Sequence, residues 1–511
     1  MATNTSYFGL WLYVSTLAGS AYILVIIVYR IWFHPLSRFP GPKHMAISDL
    51  FSQWHAFVSM DMATYTPMLH RTYGNIVRIG PNRLAIEGSI CWPEVYGARS
   101  TSDEDEFSKI KGFTFANDHL ALVGANREDH RRQRRQMAPA FSATALQEQS
   151  GIIIHYIDKL ISQLTASAKQ GQSVDIVSLM NRTTFDIIGD LTFAESFHGL
   201  EGNTTFIDNI YGGLLGAAYR RFLLQFPILK PILALYVGLE DLHKASVARK
   251  ENFLLGSLKG QARMAMGAER KDGRRDFATY MLRKDESEDA ALSGKEVQAL
   301  SSVLVIAGSD TIATALSGFH FLIGMYAKKK KILVDEIRLA FTDESEITVA
   351  STAKLTYLRA VIEETLRLYS PVPTLPPRVS PGAQVGGQWI PRGTIIQTWQ
   401  TATNRNPDSF VDPDSFEPER WLSSEHSLSN ARFLKDKKNV VKSFGNGSRD
   451  CIGKNLAYAE MRTIICRILF RFDMELVSGQ EKWLDQRAAI AWLKGPLMVR
   501  YKLRHTLEEA W

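Results

Sequence analysis

The stretch from Ser293 to about Lys328 constrains the fold more than any other part of the chain. Val297, Leu300, Leu304, Ala307 and Thr311 recur at helical spacing, while Val303, Val305 and Ile306 fill the other faces. A helix that is apolar nearly all round has to be enclosed by the rest of the molecule. Ser293 and Glu296 form the S-x-x-E box that starts such a helix. At 1.5 Å per residue it would run roughly 50 Å and cross the whole protein. The chain can enclose it: of its 511 residues, 45% are hydrophobic and 22% charged, the make-up of a globular protein with a large core.

The middle of this helix is chemically odd. In "AGSDT", Gly308 costs about 1 kcal/mol of helix stability relative to alanine. Asp310 and Thr311 are polar groups in an apolar helix and need partners or ordered water. By themselves they fit a kink with a satisfied polar pair as well as they fit a functional site.

Residues 2–29 contain no charged side chain, and "YFGLWLYVSTLAGSAYILVIIV" supplies about 22 residues, enough for roughly 30 Å of hydrocarbon. Arg30, Arg38 and Lys43 follow at once, which predicts an uncleaved anchor with its C-terminal side in the cytosol. A cleaved leader would need a basic start and a shorter apolar run. Pro35, Pro40 and Pro42 then predict a stiff, extended stalk that holds the globular part off the membrane.

From residue 46 onward no linker divides the chain, and helical patterns dominate. Strands are predicted near residues 75–88, and a hairpin over residues 382–397 with glycine and proline at its turns. The apolar patch 222–239 is broken by Pro227, Lys230 and Pro231, so it reads either as a loop dipping into a bilayer surface or as a buried loop. Residues 266–292 are densely charged and read as a mobile surface connection. Three cysteines, Cys91, Cys451 and Cys466, are too few for a disulfide framework. The net charge of +7 favours acidic partners or an anionic membrane, but no basic stretch carries the interleaved aromatics of a nucleic-acid binder.

The helix predicted over residues 356–369 carries Glu364 and Arg367 three apart on one face, followed by "SPVPTLPPR". Further on, "FGNGSRDCIG" precedes the helical pattern of "KNLAYAEMRTIICRILFRF". Cys451 therefore lies at or just before a helix N-terminus, whose free N–H groups favour a thiolate. Gly447 and Gly453 let the backbone come close to a flat object. Such a thiolate could be a nucleophile, a zinc ligand or a haem ligand. Zinc wants clustered Cys/His partners, and none lies near. A nucleophile wants a histidine base, which the fold could still bring. A haem ligand needs only the one cysteine.

Taken together, these motifs resemble those of the cytochrome P-450 family, specifically its membrane-anchored fungal members. The family's F-x-x-G-x-R-x-C-x-G is met by Phe444, Gly447, Arg449, Cys451 and Gly453. E-x-x-R is met by Glu364 and Arg367, with Arg420 in "FEPERW" as the arginine that joins them. The A/G-G-x-D/E-T motif is met by Ala307, Gly308, Asp310 and Thr311. One departure stands out: where the family often has W-x-x-x-R, this chain has His130 and Arg134, and histidine can still donate a hydrogen bond to a carboxylate.

The resemblance implies a mainly α fold with a small β region, preceded by one transmembrane helix. The chain then divides into an anchor (1–29), a Pro-rich stalk (30–45) and a haem-binding catalytic domain (46–511). It implies haem b with Cys451 as the axial ligand of the iron. Arg134, Arg378 and Arg449 would pair with the haem propionates, with His130 beside them. Phe444 would pack near the cysteine, Gly308 would leave room for dioxygen, and Asp310 and Thr311 would supply protons. Glu364, Arg367 and Arg420 would be structural. Phe113, Phe115, Val303, Val372 and Leu375 are candidates for an apolar substrate pocket. The implied activity is a monooxygenase that oxidises a lipophilic small molecule of fungal secondary metabolism at the endoplasmic reticulum membrane. No flavin or nicotinamide fingerprint occurs in the chain. Electrons would therefore come from an NADPH-cytochrome P-450 reductase, docked near Lys442, Arg449 and Lys454. Other activities of haem-thiolate proteins are a reductase-independent isomerase, dehydratase or peroxygenase, and a non-catalytic haem sensor.

Overall fold

The structure, a computed structural model, describes residues 2–504 apart from 98–101, 103–104, 111–117, 270–272 and 284–290. Phe113 and Phe115, two of the predicted pocket residues, lie outside the described residues, as does part of the charged connection.

Gly294–Met325 is a single helix at the centre of the molecule. Its capping box forms in both directions: Glu296 N–H donates to Ser293 Oγ at 3.3 Å and Ser293 N–H to Glu296 Oε2 at 2.8 Å. Every residue from Ile312 to Ile323 is buried. The helix stops three residues short of the predicted Lys328, because Tyr326 leaves helical geometry (φ −114°, ψ 78°) and a second helix, Ala327–Ala340, starts at once. Helices Ile176–Phe193, Leu239–Ala265, Thr356–Leu368 and Lys454–Arg471 pack around it.

The β region is small, as predicted. Ile76–Gly80, Arg83–Ile86, Ile395–Gln397, Arg378–Val379 and Ser108–Lys109 form one sheet in that order. Beside it, Ala383–Val385 and Gln388–Ile390 form the predicted hairpin. Its turn residues Gly386 and Gly387 take φ of 59° and 73°, the left-handed pair that a tight hairpin turn requires. Met498–Leu503 runs between Phe472–Leu476 and Ser173–Asp175 in a second sheet.

The N-terminal helix Ala2–Val28 continues through one wider turn, Tyr29–Phe33, and Gly9–Phe33 has none of its length buried. The segment after it corrects the picture of an extended stalk. Leu36 and Phe39 are buried with Ile76, Leu84, Trp92 and Ile390. Arg78 N–H donates to Pro40 O at 2.7 Å and its guanidinium to Arg30 O at 2.7 Å. Residues 34–47 form a collar fastened to the sheet, because alternating Leu and Phe among the prolines offer apolar surface that packing removes from water.

The patch 222–239 is neither a span nor a buried loop. It finishes the helix Thr205–Gln225, turns at Pro227–Leu229, and forms the short helix Lys230–Val237. Leu233 is buried, while Ile228, Leu235 and Leu239 are 85%, 89% and 74% exposed. Such an exposed apolar surface marks a site of contact with something other than water. Residues 266–292 also differ from a plain surface connection. Phe277–Met281 is a buried helical turn. It is held by Asp276, which pairs with the buried Arg263 at 2.7 Å.

Candidate active site

Cys451 is held by the geometry of its own loop. Gly445 and Gly447 take φ of 78° and 79°, which a residue with a side chain adopts only under strain. These two turns fold the loop back so that Cys451 N–H donates to Phe444 O at 2.8 Å and Asp450 N–H to Gly447 O at 3.1 Å. Gly453, at φ −87°, precedes the helix Lys454–Arg471. A Cβ on Gly453 would stand 4.0 Å from Cys451 Sγ, so its bare side leaves the sulfur uncovered. Phe444 packs on Tyr458 at 5.1 Å, with Lys454 Nζ 5.8 Å from its ring.

The Cys451 side chain is accessible rather than packed, unlike the buried Cys91 and Cys466. The expected effect of the helix start is present but is outweighed by burial. Burial pushes the thiol up from its ordinary value, Asp450 adds to that, and the Gly453 N–H, Arg134 and Lys454 only partly offset it. The N-terminus of the helix alone does not make this cysteine a thiolate, whereas a bound metal cation would.

A second open surface lies on the central helix. Val303 and Thr311 are half-buried and Ala307 is exposed, one turn apart along a single stripe, whereas the stretch from Ile312 to Ile323 is enclosed. Thr311 Oγ1 donates to Ala307 O at 2.7 Å. The neighbouring face is closed: Asp310 is buried and pairs with Lys494 Nζ at 2.6 Å, and Lys494 also donates to Thr314. Gly308 also serves helix packing. A Cβ there would stand 2.5 Å from Ile188 Cδ1, so its missing side chain lets Ile188–bearing helix Ile176–Phe193 approach closely.

The basic residues converge on a cavity of about 460 Å³ lined by Tyr96, His130, Arg134, Arg378 and Arg449, among others. His130 is buried and held down to about 3, first by burial, then by Arg449, Lys109, Arg134 and Arg378, so it stays neutral at physiological pH. Arg378 is buried on the Tyr96 ring at 5.2 Å, and its Nε has no partner among the described residues. Arg134 donates to Asp450 O at 2.7 Å and pairs with Asp450 Oδ1 at 2.5 Å, and Arg449 donates to Ala125 O at 2.9 Å. Glu106, 3.6 Å from Arg449, and Asp450 offset part of this charge, and the buried Arg378 Nε is left as a donor suited to an anionic ligand. A larger cavity of about 870 Å³ lies between helices Thr205–Gln225 and Leu239–Ala265, and no cysteine-loop residue lines it.

Glu364, Arg367 and Arg420 meet with no exposed side-chain surface. Arg367 donates to both carboxylate oxygens, at 2.7 and 2.8 Å, and to the carbonyls of Asn404, Pro413 and Ser415. Arg420 Nε donates to Glu364 Oε1 at 3.0 Å, and its guanidinium pairs with Asp436. The group ties helix Thr356–Leu368 to the segment that leads into the cysteine loop. Of the predicted pocket residues, Val372 and Leu375 are half-buried. Their neighbours Thr374 and Pro377 line a narrow cleft with Phe57, Arg221 and Ile490.

The sequence reading missed Lys494, Asp450 and Ile188. Lys494 had left a signal, as the single charge in the apolar run 488–497. Asp450 and Ile188 had none, since their roles arise only from contacts across the chain.

An uncovered cysteine, an open stripe on the central helix and a basic cavity fit a flat group with carboxylates at one edge. That combination defines a haem-thiolate protein. The cytochrome P-450 family pattern matches residues 40–501, and the chain belongs to that family. It is 34% identical to the cytochrome P-450 monooxygenase astJ of Aspergillus oryzae, over 94% of this chain and 95% of that one. It is also 34% identical to a trichothecene C-4 hydroxylase of Trichoderma arundinaceum, over 93% of each chain. A trichothecene C-15 hydroxylase of Fusarium sporotrichioides is 33% identical, over 94% of this chain and 96% of that one. The protein is an oxidoreductase of the monooxygenase type, using a haem-thiolate cofactor and dioxygen on small molecules. The N-terminal apolar helix is a candidate membrane anchor.

Proposed function

We propose that this protein inserts one oxygen atom into a lipophilic small molecule of a fungal secondary pathway, on the cytosolic face of the endoplasmic reticulum. The balanced reaction is RH + O2 + NADPH + H+ giving ROH + H2O + NADP+. The electrons come from a membrane-bound, NADPH-dependent flavoprotein reductase. The group held at the site is haem b, which when bound supplies the chemistry of dioxygen activation, favoured by a thiolate ligand.

The chain's own residues do the rest. Cys451 Sγ is the metal ligand, and the Gly453 N–H tempers its charge. Arg134, Arg378, Arg449 and neutral His130 hold the propionates as hydrogen-bond donors to carboxylate oxygen. Thr311 holds a proton at Oγ1 on the open stripe, and Asp310 passes protons toward it. Ala307, Val303, Val372 and Leu375, with Phe113 and Phe115, exclude water and orient an apolar substrate. Lys442 and Lys454 present charge to an acidic reductase, whereas Arg449, predicted to join them, is turned into the cavity. The anchor and the exposed apolar helix Lys230–Val237 both face lipid.

The observation that carries this reading is the accessible side chain of Cys451, on a loop whose Ser448 and Arg449 line the cavity that also holds His130, Arg134 and Arg378. The deciding experiment is the absorption spectrum of the reduced protein under carbon monoxide, beside Cys451→Ser. The expected result is a strongly red-shifted Soret band that the variant loses. An unshifted, histidine-like band in the wild type would overturn it.

A further inference from the structure

Lys494 is a charged side chain where the chain is otherwise apolar, and only 1% of it is exposed. Its Nζ stands 2.6 Å from Asp310 Oδ1, and it donates to Thr314 Oγ1 one turn further along the central helix. Its segment is fixed on both sides. Trp492 Nε1 donates to Ser370 O at 2.8 Å and its ring stacks on Tyr369 at 5.0 Å. Leu497 N–H donates to Asp175 Oδ1 at 3.0 Å, next to the strand Met498–Leu503. Removing one partner from a buried ion pair leaves an uncompensated charge, which is strongly unfavourable. The lysine and the carboxylate therefore hold each other in one arrangement.

We propose that Lys494 is a positioning residue for proton delivery, fixing both the place and the charge of Asp310 one residue from Thr311. The inference rests on the reading of Asp310 and Thr311 as the proton relay. Lys494 does not touch the reacting atoms. Without it, Asp310 loses the ammonium that stands 2.6 Å from its carboxylate, and with it the contact that holds the carboxylate in place. Lys494 faces Asp310, and so does Tyr369 at the end of helix Thr356–Leu368, whose phenol is pushed up first by burial and then by the Asp310 charge. Tyr369 donates to Gln486 at 2.6 Å and stays neutral, so it cannot replace the lysine's charge.

The test uses the full-length, haem-loaded protein with reductase, NADPH and dioxygen, and needs no substrate. Electrons that do not reach water leave as hydrogen peroxide, by O2 + NADPH + H+ giving H2O2 + NADP+. The readout is the share of NADPH recovered as peroxide from about pH 6 to 8. In Lys494→Met that share is expected to rise severalfold over the wild type across this range. Lys494→Arg should restore most of the wild-type behaviour, and Asp310→Asn with Lys494→Met should be no worse than Asp310→Asn alone. Denaturant unfolding gives a second readout, in which the two single losses in midpoint do not add. A Lys494→Met protein with an intact carbon monoxide spectrum and a wild-type peroxide share would overturn this inference alone. Absence of reductase-driven oxygen uptake by the wild type would overturn the proposed function and this inference with it.

Discussion

Arg134 reaches from helix Arg127–Met137 to Asp450, the residue just before Cys451, and bonds both its backbone carbonyl and its carboxylate. One arginine thus links the basic cavity to the loop that carries the ligand. Arg134→Ala should loosen the cysteine loop without unfolding the protein. Because Asp450 is partly exposed, the loss is moderate: about a fivefold faster loss of haem, with Arg134→Lys intermediate. Transfer of haem to a large excess of apomyoglobin measures it, and an unchanged rate would remove Arg134 from the clamp.

Breaking the group of Glu364, Arg367 and Arg420 should cost far more. Arg420→Ala leaves Glu364 and Asp436 buried with less positive charge, and a loss of about 3–5 kcal/mol is expected in denaturant unfolding. Burial opposes ionisation of Glu364, yet Arg367 and Arg420 outweigh it and hold the carboxyl below its usual range. A carboxyl held low in the folded state stabilises it above the ordinary glutamate range, and that stability is lost as pH falls from about 4 downward. Glu364→Gln should lack this acid limb.

Gly308→Ala should be costly because its new methyl meets Ile188, which is buried. The expected loss is about 1–3 kcal/mol. Ile188→Val removes the nearer methyl, so the double variant should lose less than the sum of the two singles. Additive losses in thermal unfolding would show that the clash is not what makes alanine unfavourable.

His320 is wholly buried in the central helix, with Nδ1–H donating to Leu316 O at 2.7 Å. Burial holds it down to about 4. A histidine lowered in the folded state stabilises the fold above its unfolded value near 6.5, and this is lost as pH falls toward about 4. The wild-type melting temperature should therefore drop across that window. His320→Gln should be less stable at pH 7 but show a flatter decline. Parallel curves would assign the acid loss elsewhere, with His130 the next candidate.

Much of the fold was legible because periodicity reports burial. The all-round apolar pattern after Ser293 required an enclosed helix, and the capping box located its start to the residue. Its end was misjudged by three residues, since the helical pattern runs on past Tyr326 into the next helix and Gly324 does not stand out as a stop. The N-terminal apolar helix was legible from length and lack of charge. The collar was not, because Pro35, Pro40 and Pro42 limit backbone angles but do not say whether Leu36 and Phe39 find a surface to cover. The same gap hid the buried turn Phe277–Met281 among charges, where the ion pair of Arg263 and Asp276 closes only once two separate segments meet.

For the site, the sequence by itself determined which groups are present and in what order: the glycine-rich cysteine loop, the Glu364 and Arg367 pair, and the polar break at Asp310 and Thr311. Local chemistry fixes these, since a positive φ needs glycine and a buried carboxylate needs a cation. Only the tertiary structure decided which cation. It gave Asp310 to Lys494, Asp450 to Arg134 and the bare side of Gly308 to Ile188, pairings between residues 120 to more than 300 positions apart. Burial strengthens such charge pairs by removing competing water, and burial is a property of the assembled fold, not of any segment within it.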